Sequence, residues 1–162
     1  FFLGDLNTPG YIRNPEKFFR FLIAYHDIGK GIAFEYRQDK SLEVEYSYPI
    51  AWRLFLHSGF NQSEARLGIA LIHQHQVIGD FLRKKISADQ AAKSISRISE
   101  NLARTSVQHF FPSLEFLFVC DASSYPYLRN KLFTQNSEGK LELIDLDQYL
   151  VLKNTVLSLP TK

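Results

Sequence analysis

The sequence predicts a mainly α-helical single domain carrying one or two small β-hairpins. Two capping-box signatures point that way, Asn61-Gln62-Ser63-Glu64 and Ser87-Ala88-Asp89-Gln90, each ahead of a long run of apolar residues at helical spacing. A third start, Asn14-Pro15-Glu16, offers a cap, a proline suited to the first turn and an acid for the positive end of the dipole. Only two short stretches alternate with period two, so strands are a minor component. The chain has 162 residues, 45 % hydrophobic and 22 % charged, an ordinary globular mix able to bury one core.

The elements follow in order. A first helix spans 15 to 28: Phe18, Phe19, Leu22 and Ile23 form its apolar face, His26-Asp27 occupy its last turn, and Gly29 stops it. From 32 to 46, Ile32, Phe34 and Tyr36, then Leu42, Val44 and Tyr46, alternate with small or polar residues about Gln38-Asp39-Lys40, predicting a hairpin. Pro49 starts a helix over 49–58, and the capping boxes start helices over 61–85 and 87–107. Pro112-Ser113 opens another through Cys120. A weaker C-terminal extension covers 131–162. It holds a hairpin of 131–134 with 140–144 around Asn136-Ser137-Glu138-Gly139, and a last helix over 146–157.

Several function classes are disfavoured. A net charge of +2 indicates neither nucleic acid nor an anionic membrane surface as partner. No apolar run approaches the ~20 residues that span a bilayer. Cys120 is the single cysteine, so no intrachain disulfide forms and a reducing, cytoplasmic setting is expected. Within Phe116-Leu117-Phe118-Val119-Cys120 it reads as a small buried hydrophobe. Phe1 stands where a start methionine would, without a basic leader. The chain is thus expected to be part of a longer protein with residues or domains upstream.

His26-Asp27 is the pair that carries chemistry. Imidazole and carboxylate both ligate divalent metals. Neighbours on a helix point about 100° apart, but at a helix end both side chains can turn to one ion. The plainer reading is a core or C-capping histidine beside a solvated aspartate. Two more histidines, His73 and His75, lie on the helix over 61–85. With Leu67, Leu71, Ile78 and Leu82 facing inward, His75 falls on the flank of the apolar stripe and His73 almost opposite.

Phe21-Leu22-Ile23-Ala24-Tyr25-His26-Asp27-Ile28-Gly29-Lys30 resembles the signature of the HD superfamily, an apolar helix ending in His-Asp-Ile-Gly-Lys. The resemblance extends over about residues 10 to 130. It implies an HD-domain-like helical bundle and a metal-dependent phosphohydrolase acting on phosphomonoesters or phosphodiesters. The implied metal ligands are His26, Asp27 and Asp121, the last delivered by the apolar run 116–120. The ion would be divalent: Mg, Mn, Fe, Ni or Zn. Asp27 would also accept a proton from the attacking water, with Lys30 and His75 holding the phosphate of a small phosphorylated substrate such as a nucleotide.

The pattern departs from the family in two places. The family's early histidine has no counterpart, since no histidine precedes His26. Where two-metal members carry a histidine before the next helix, this chain has Tyr46-Ser47-Tyr48, with Glu45 the nearest carboxylate, so one metal fits better than two. These departures keep open a catalytically degenerate HD-fold module that regulates or binds a ligand. Neither the cyclic-dinucleotide branch with Gly-Tyr-Pro nor the alarmone-hydrolase branch with Glu-Asp matches. Lys30 and Arg83-Lys84-Lys85 each have a plain reading, as cations favouring a helix C-terminus, beside a phosphate-binding one. Tyr125-Pro126-Tyr127 would line a pocket mouth and stack a base.

Overall fold

Helices and a single two-stranded sheet make up the architecture in the computed structural model, which describes residues 10, 12–39 and 42–160. In chain order the elements are α1 (Pro15–Tyr25), α2 (Gly29–Arg37), α3 (Glu43–His57), α4 (Gln62–Gln74), α5 (Val77–Leu82) and α6 (Ala88–Ile98). A π-helical turn (Ser99–Ala103) extends α6. Then come α7 (Val107–Ser124), α8 (Pro126–Leu132), β1 (Phe133–Gln135), β2 (Leu141–Leu143) and α9 (Leu146–Leu157). The expected mainly helical bundle with a small hairpin is what the chain forms.

The caps read from sequence are in place. The Asn14 side chain accepts from the Lys17 amide, and Pro15 opens α1. Asn61 and Glu64 cap each other at α4, as Ser87 and Gln90 do at α6. The C-terminal hairpin pairs Phe133 with Leu143 and Gln135 with Leu141, starting two residues later than the expected 131–134 because Lys131 and Leu132 close α8, and α9 covers the expected residues.

The core is strongly aromatic. Phe18, Phe19 and Leu22 of α1 are fully buried, with Phe55 of α3 and Phe110, Phe111 and Leu117 of α7. Phe18 meets Phe55 at 5.7 Å between ring centroids and Phe60 at 6.0 Å. Phe19 packs edge-on against Phe116 at 4.8 Å. Burial of this kind removes α1, α4 and α7 together from water and fixes the helix ends that carry the polar centre.

The expected hairpin over 32–46 is instead two helices, α2 and α3; Lys40 and Ser41 lie outside the described residues. The alternation misled because it recorded exposed side chains. Phe34 is 48 % and Tyr36 72 % exposed, whereas Ala33 is fully buried. Gly29 and Ala33, four apart, form the buried face of α2. A Cβ at Gly29 would come 2.2 Å from the Glu43 carbonyl oxygen and 2.5 Å from the Ser47 amide nitrogen. Gly29 thus serves as the point where α2 touches α3, and its amide donates to Ser47 Oγ at 2.9 Å.

Other boundaries shift as well. The first helix ends at Tyr25, with His26 as its cap. The helix expected over 49–58 begins at Glu43 and contains Pro49. Proline deprives the Glu45 carbonyl of its partner, but both residues are exposed and water can replace the bond. The helix expected over 61–85 breaks at His75-Gln76 and stops at Leu82. That expected over 87–107 divides into α6 and the π turn, and the one through Cys120 runs from Val107 to Ser124.

Glu64 makes the capping of α4 pH-sensitive. Its carboxylate accepts from the Asn61 amide at 2.7 Å, the Arg13 amide at 3.0 Å and the Arg13 guanidinium at 3.1 Å. Burial would raise its pKa, but these donors outweigh it and hold the carboxyl below its ordinary value. A carboxyl depressed on folding contributes stability above its unfolded pKa of about 4.3 and loses that contribution as pH falls through the folded value. Glu64→Gln is expected to lower stability by roughly 1–3 kcal/mol at pH 7. Urea denaturation of the variant should show a weaker decline than wild type between pH 5 and pH 3.

Candidate metal centre

His26 and His75 occupy the same structural position, the C-cap of a helix, α1 for one and α4 for the other. In each, Nδ1 faces the carbonyl three residues back: Ile23 at 2.8 Å and Ile72 at 2.7 Å. A carbonyl only accepts, so Nδ1 carries the proton and donates. Each ring therefore caps its helix with one nitrogen and presents the other, Nε2, to the interior. The capping and ligand readings of His26 are compatible. His75 sits at a helix end and not on a helix flank as expected, whereas His73 is exposed as expected.

Carboxylates face both free nitrogens. His26 Nε2 lies 3.0 Å from Asp121 Oδ1 and 3.5 Å from Asp27 Oδ1. His75 Nε2 lies 3.6 Å from Asp27 Oδ1 and 3.4 Å from Glu43 Oε1. The rings stand 5.4 Å apart. Two groups of three potential ligands result, His26-Asp27-Asp121 and Asp27-Glu43-His75, and Asp27 belongs to both. Asp121, in the last turn of α7, comes from 95 residues along the chain to reach His26.

Three carboxylates, Asp27, Glu43 and Asp121, converge here, and Lys30 pairs with two of them. Lys30 Nζ pairs with Asp27 Oδ2 at 2.5 Å and lies 3.6 Å from Glu43 Oε2. Lys30 is in the first turn of α2, not at a helix C-terminus. There the dipole disfavours a cation, and the two carboxylates offset that cost. Burial opposes its charge too, but Asp27 and then Glu43 outweigh it and raise its pKa. Tyr125 Oη donates to the same Asp27 oxygen at 3.3 Å. Burial, followed by the Asp27 charge, pushes the phenol up, so Tyr125 stays a neutral donor. Tyr127 is 73 % exposed, beneath Lys131, and takes no part.

The donor set suits a divalent cation. Among the described residues, Asp27 Oδ1 and His75 Nε2 are buried without a hydrogen-bond partner, although they face each other. With Nδ1 protonated, Nε2 of a neutral ring offers a lone pair to an oxygen lone pair, a repulsive arrangement that a cation between them reverses. At His26 a proton can play that part. Burial lowers the imidazole pKa, but the Asp121 hydrogen bond, the Asp27 charge and the Ile23 carbonyl together raise it. Asp121 answers in the opposite sense: burial raises its pKa, while His26, then His75 and Lys30, hold it low.

Glu43 was missed in the sequence, where Glu45 stood as the nearest carboxylate. Glu45 is exposed, whereas Glu43 is 2 % exposed and accepts from the Gln76 side-chain amide. The one available signal was its setting two residues before Glu45 at a helix start, concealed by the strand reading. The hydroxyl oxygen of Ser47, in the stretch Tyr46-Ser47-Tyr48, accepts from the Gly29 amide. Cys120 is half-buried, and burial raises its thiol pKa, consistent with an inert thiol.

The chain matches no protein-family model, no curated protein and no solved structure. Among the described residues no helix is long and apolar enough to cross a membrane.

Proposed function

We propose that this protein is a metal-dependent phosphohydrolase of the HD superfamily. The observation that carries the reading is the pair of imidazole nitrogens aimed at three carboxylates, two of which pair with Lys30. The His-Asp-Ile-Gly-Lys stretch and the distant Asp121 support it by resemblance.

A divalent ion held there would acidify a water nucleophile and polarise the phosphoryl group. The chain's own residues supply the rest. His26, Asp27 and Asp121 form one ligand group, and His75 and Glu43 with Asp27 form a second, so the centre has donors for one ion or two. The Nδ1 bonds to Ile23 and Ile72 hold each ring in the tautomer that ligation requires. Lys30 and Tyr125 both bind Asp27 Oδ2, which leaves Oδ1 as the oxygen facing the imidazoles. Asp27 is also the group placed to accept a proton from the attacking water. Lys30, 35 % exposed and at the edge of the adjoining cleft, is placed to hold a substrate phosphate.

The test is metal analysis of the purified protein followed by a screen of phosphomonoesters and phosphodiesters with Mg, Mn, Fe, Ni and Zn. Bound metal with metal-dependent phosphate release is expected. Bound metal without turnover of any ester would favour the degenerate regulatory or ligand-binding module, and failure to bind any of these ions would overturn the hydrolase.

A further inference from the structure

We infer that the cleft beside the centre holds a second phosphate through Arg83 and Lys85, making the preferred substrate a small doubly phosphorylated molecule of nucleotide size. This rests on the hydrolase reading. His75, Asp121 and Lys30 line a cleft of about 470 Å³ together with Arg83 and Lys85. One cavity thus joins metal-ligating groups to two cations that come from outside the ligand sets.

The two cations are built into place. At the end of α5, Lys84 adopts φ +60°, a left-handed conformation normally left to glycine. Its amide bonds to the Phe81 carbonyl at 2.8 Å, and the Lys85 amide bonds to the Asp80 carbonyl at 2.9 Å. This turn folds Lys85 back toward α5. Arg83 Nη2 and Lys85 Nζ then share Asp80 Oδ1, at 2.7 Å and 3.1 Å. Two cations on one carboxylate leave one positive charge uncompensated, facing the cleft. Arg83 brings a planar fork suited to phosphate, and Lys85, 60 % exposed, keeps free donors.

The same lining includes the apolar side chains of Phe118, Leu128 and Leu132, and the ring of Tyr125. A substrate would lay its organic body on these groups, one phosphate at Lys30 and the candidate metal ligands and the other at Arg83 and Lys85. The volume suits a mononucleotide-sized ligand. A net charge of +2 argues against the extended basic face that a nucleic-acid strand would need.

Adenosine 3′,5′-bisphosphate and adenosine 5′-monophosphate test the inference, each measured for KM with manganese and, separately, for equilibrium binding. The wild type is expected to favour the bisphosphate by about tenfold or more, and Arg83→Gln/Lys85→Gln to collapse that ratio toward one. Asp80→Asn, which frees both cations, is expected to increase the ratio and guards against a folding defect in the double variant. A wild-type ratio near one, or an unchanged ratio in the double variant, overturns the second site. Tighter binding of a 5′-phosphorylated oligonucleotide than of the bisphosphate overturns the small-molecule assignment. The hydrolase reading fails separately: a binding preference that obeys these expectations without turnover of either nucleotide would support the phosphate site and refute catalysis. Turnover without preference would do the reverse.

Discussion

Asp27→Ala is expected to abolish stoichiometric divalent metal and every metal-dependent turnover the wild type shows. Asp27 is the residue common to both ligand groups, so its removal dismantles both at once. Loss of a supporting residue around a metal ligand typically costs 10- to 100-fold in affinity, and loss of a shared ligand should cost at least about 100-fold. The fold should survive. Three carboxylates converge at the centre in the metal-free protein, so deleting one relieves repulsion even as Lys30 loses its nearer partner and keeps Glu43. The checks are metal analysis after dialysis and the rise in melting temperature on adding manganese. That rise should be present in wild type and absent in the variant, because only ligand bound to the native state stabilises it. Turnover retained by Asp27→Ala would refute the assignment of the centre.

Gly29→Ala should give the largest loss of stability for the smallest chemical change. The added methyl would lie 2.2 Å from the Glu43 carbonyl oxygen and 2.5 Å from the Ser47 amide nitrogen, and backbone atoms cannot swing aside as a side-chain tip can. Helices α2 and α3 must part, at a cost of about 1–3 kcal/mol typical of overpacking, with further loss from the Gly29–Ser47 hydrogen bond. Because Glu43 opens α3, the same displacement pulls one carboxylate away from His75 and Asp27, and metal affinity should fall along with stability. Gly31→Ala is the matched control. It lies in the same helix with nothing within 4 Å of an added Cβ. Alanine there should stabilise by roughly 0.5–1 kcal/mol. Opposite signs for the two variants in urea denaturation would establish close helix contact as the role of Gly29. Equal effects would refute it.

The comparison of the two glycines illustrates how far the sequence reaches. Its local signals were reliable where chemistry acts over three or four residues. Asn14, Asn61 and Ser87 each cap the helix they precede, because a side-chain oxygen and a free amide need only their own turn of backbone. The C-terminal hairpin and α9 were legible for the same reason. Periodicity failed at 32–46, where it was carried by side chains that turned out to be exposed. The helix is decided instead by Gly29 and Ala33, small residues whose value lies in a partner helix the local pattern does not contain.

The sequence by itself pointed to the helical class, the caps, and residues that converge in the structure: His26 and Asp27 from their chemistry, Asp121 and Lys30 through resemblance to a known signature, and His75 as the better placed of two histidines. Tertiary structure alone decided that Glu43 completes a second group able to hold a metal, that His75 reaches it from a helix end, and that Lys30 balances two carboxylates rather than a helix dipole. The reason is distance along the chain. A cap is a contact between near neighbours, but the charges that meet here come from α1, α2, α3, α4 and α7, and only the burial of the aromatic core fixes how their ends converge.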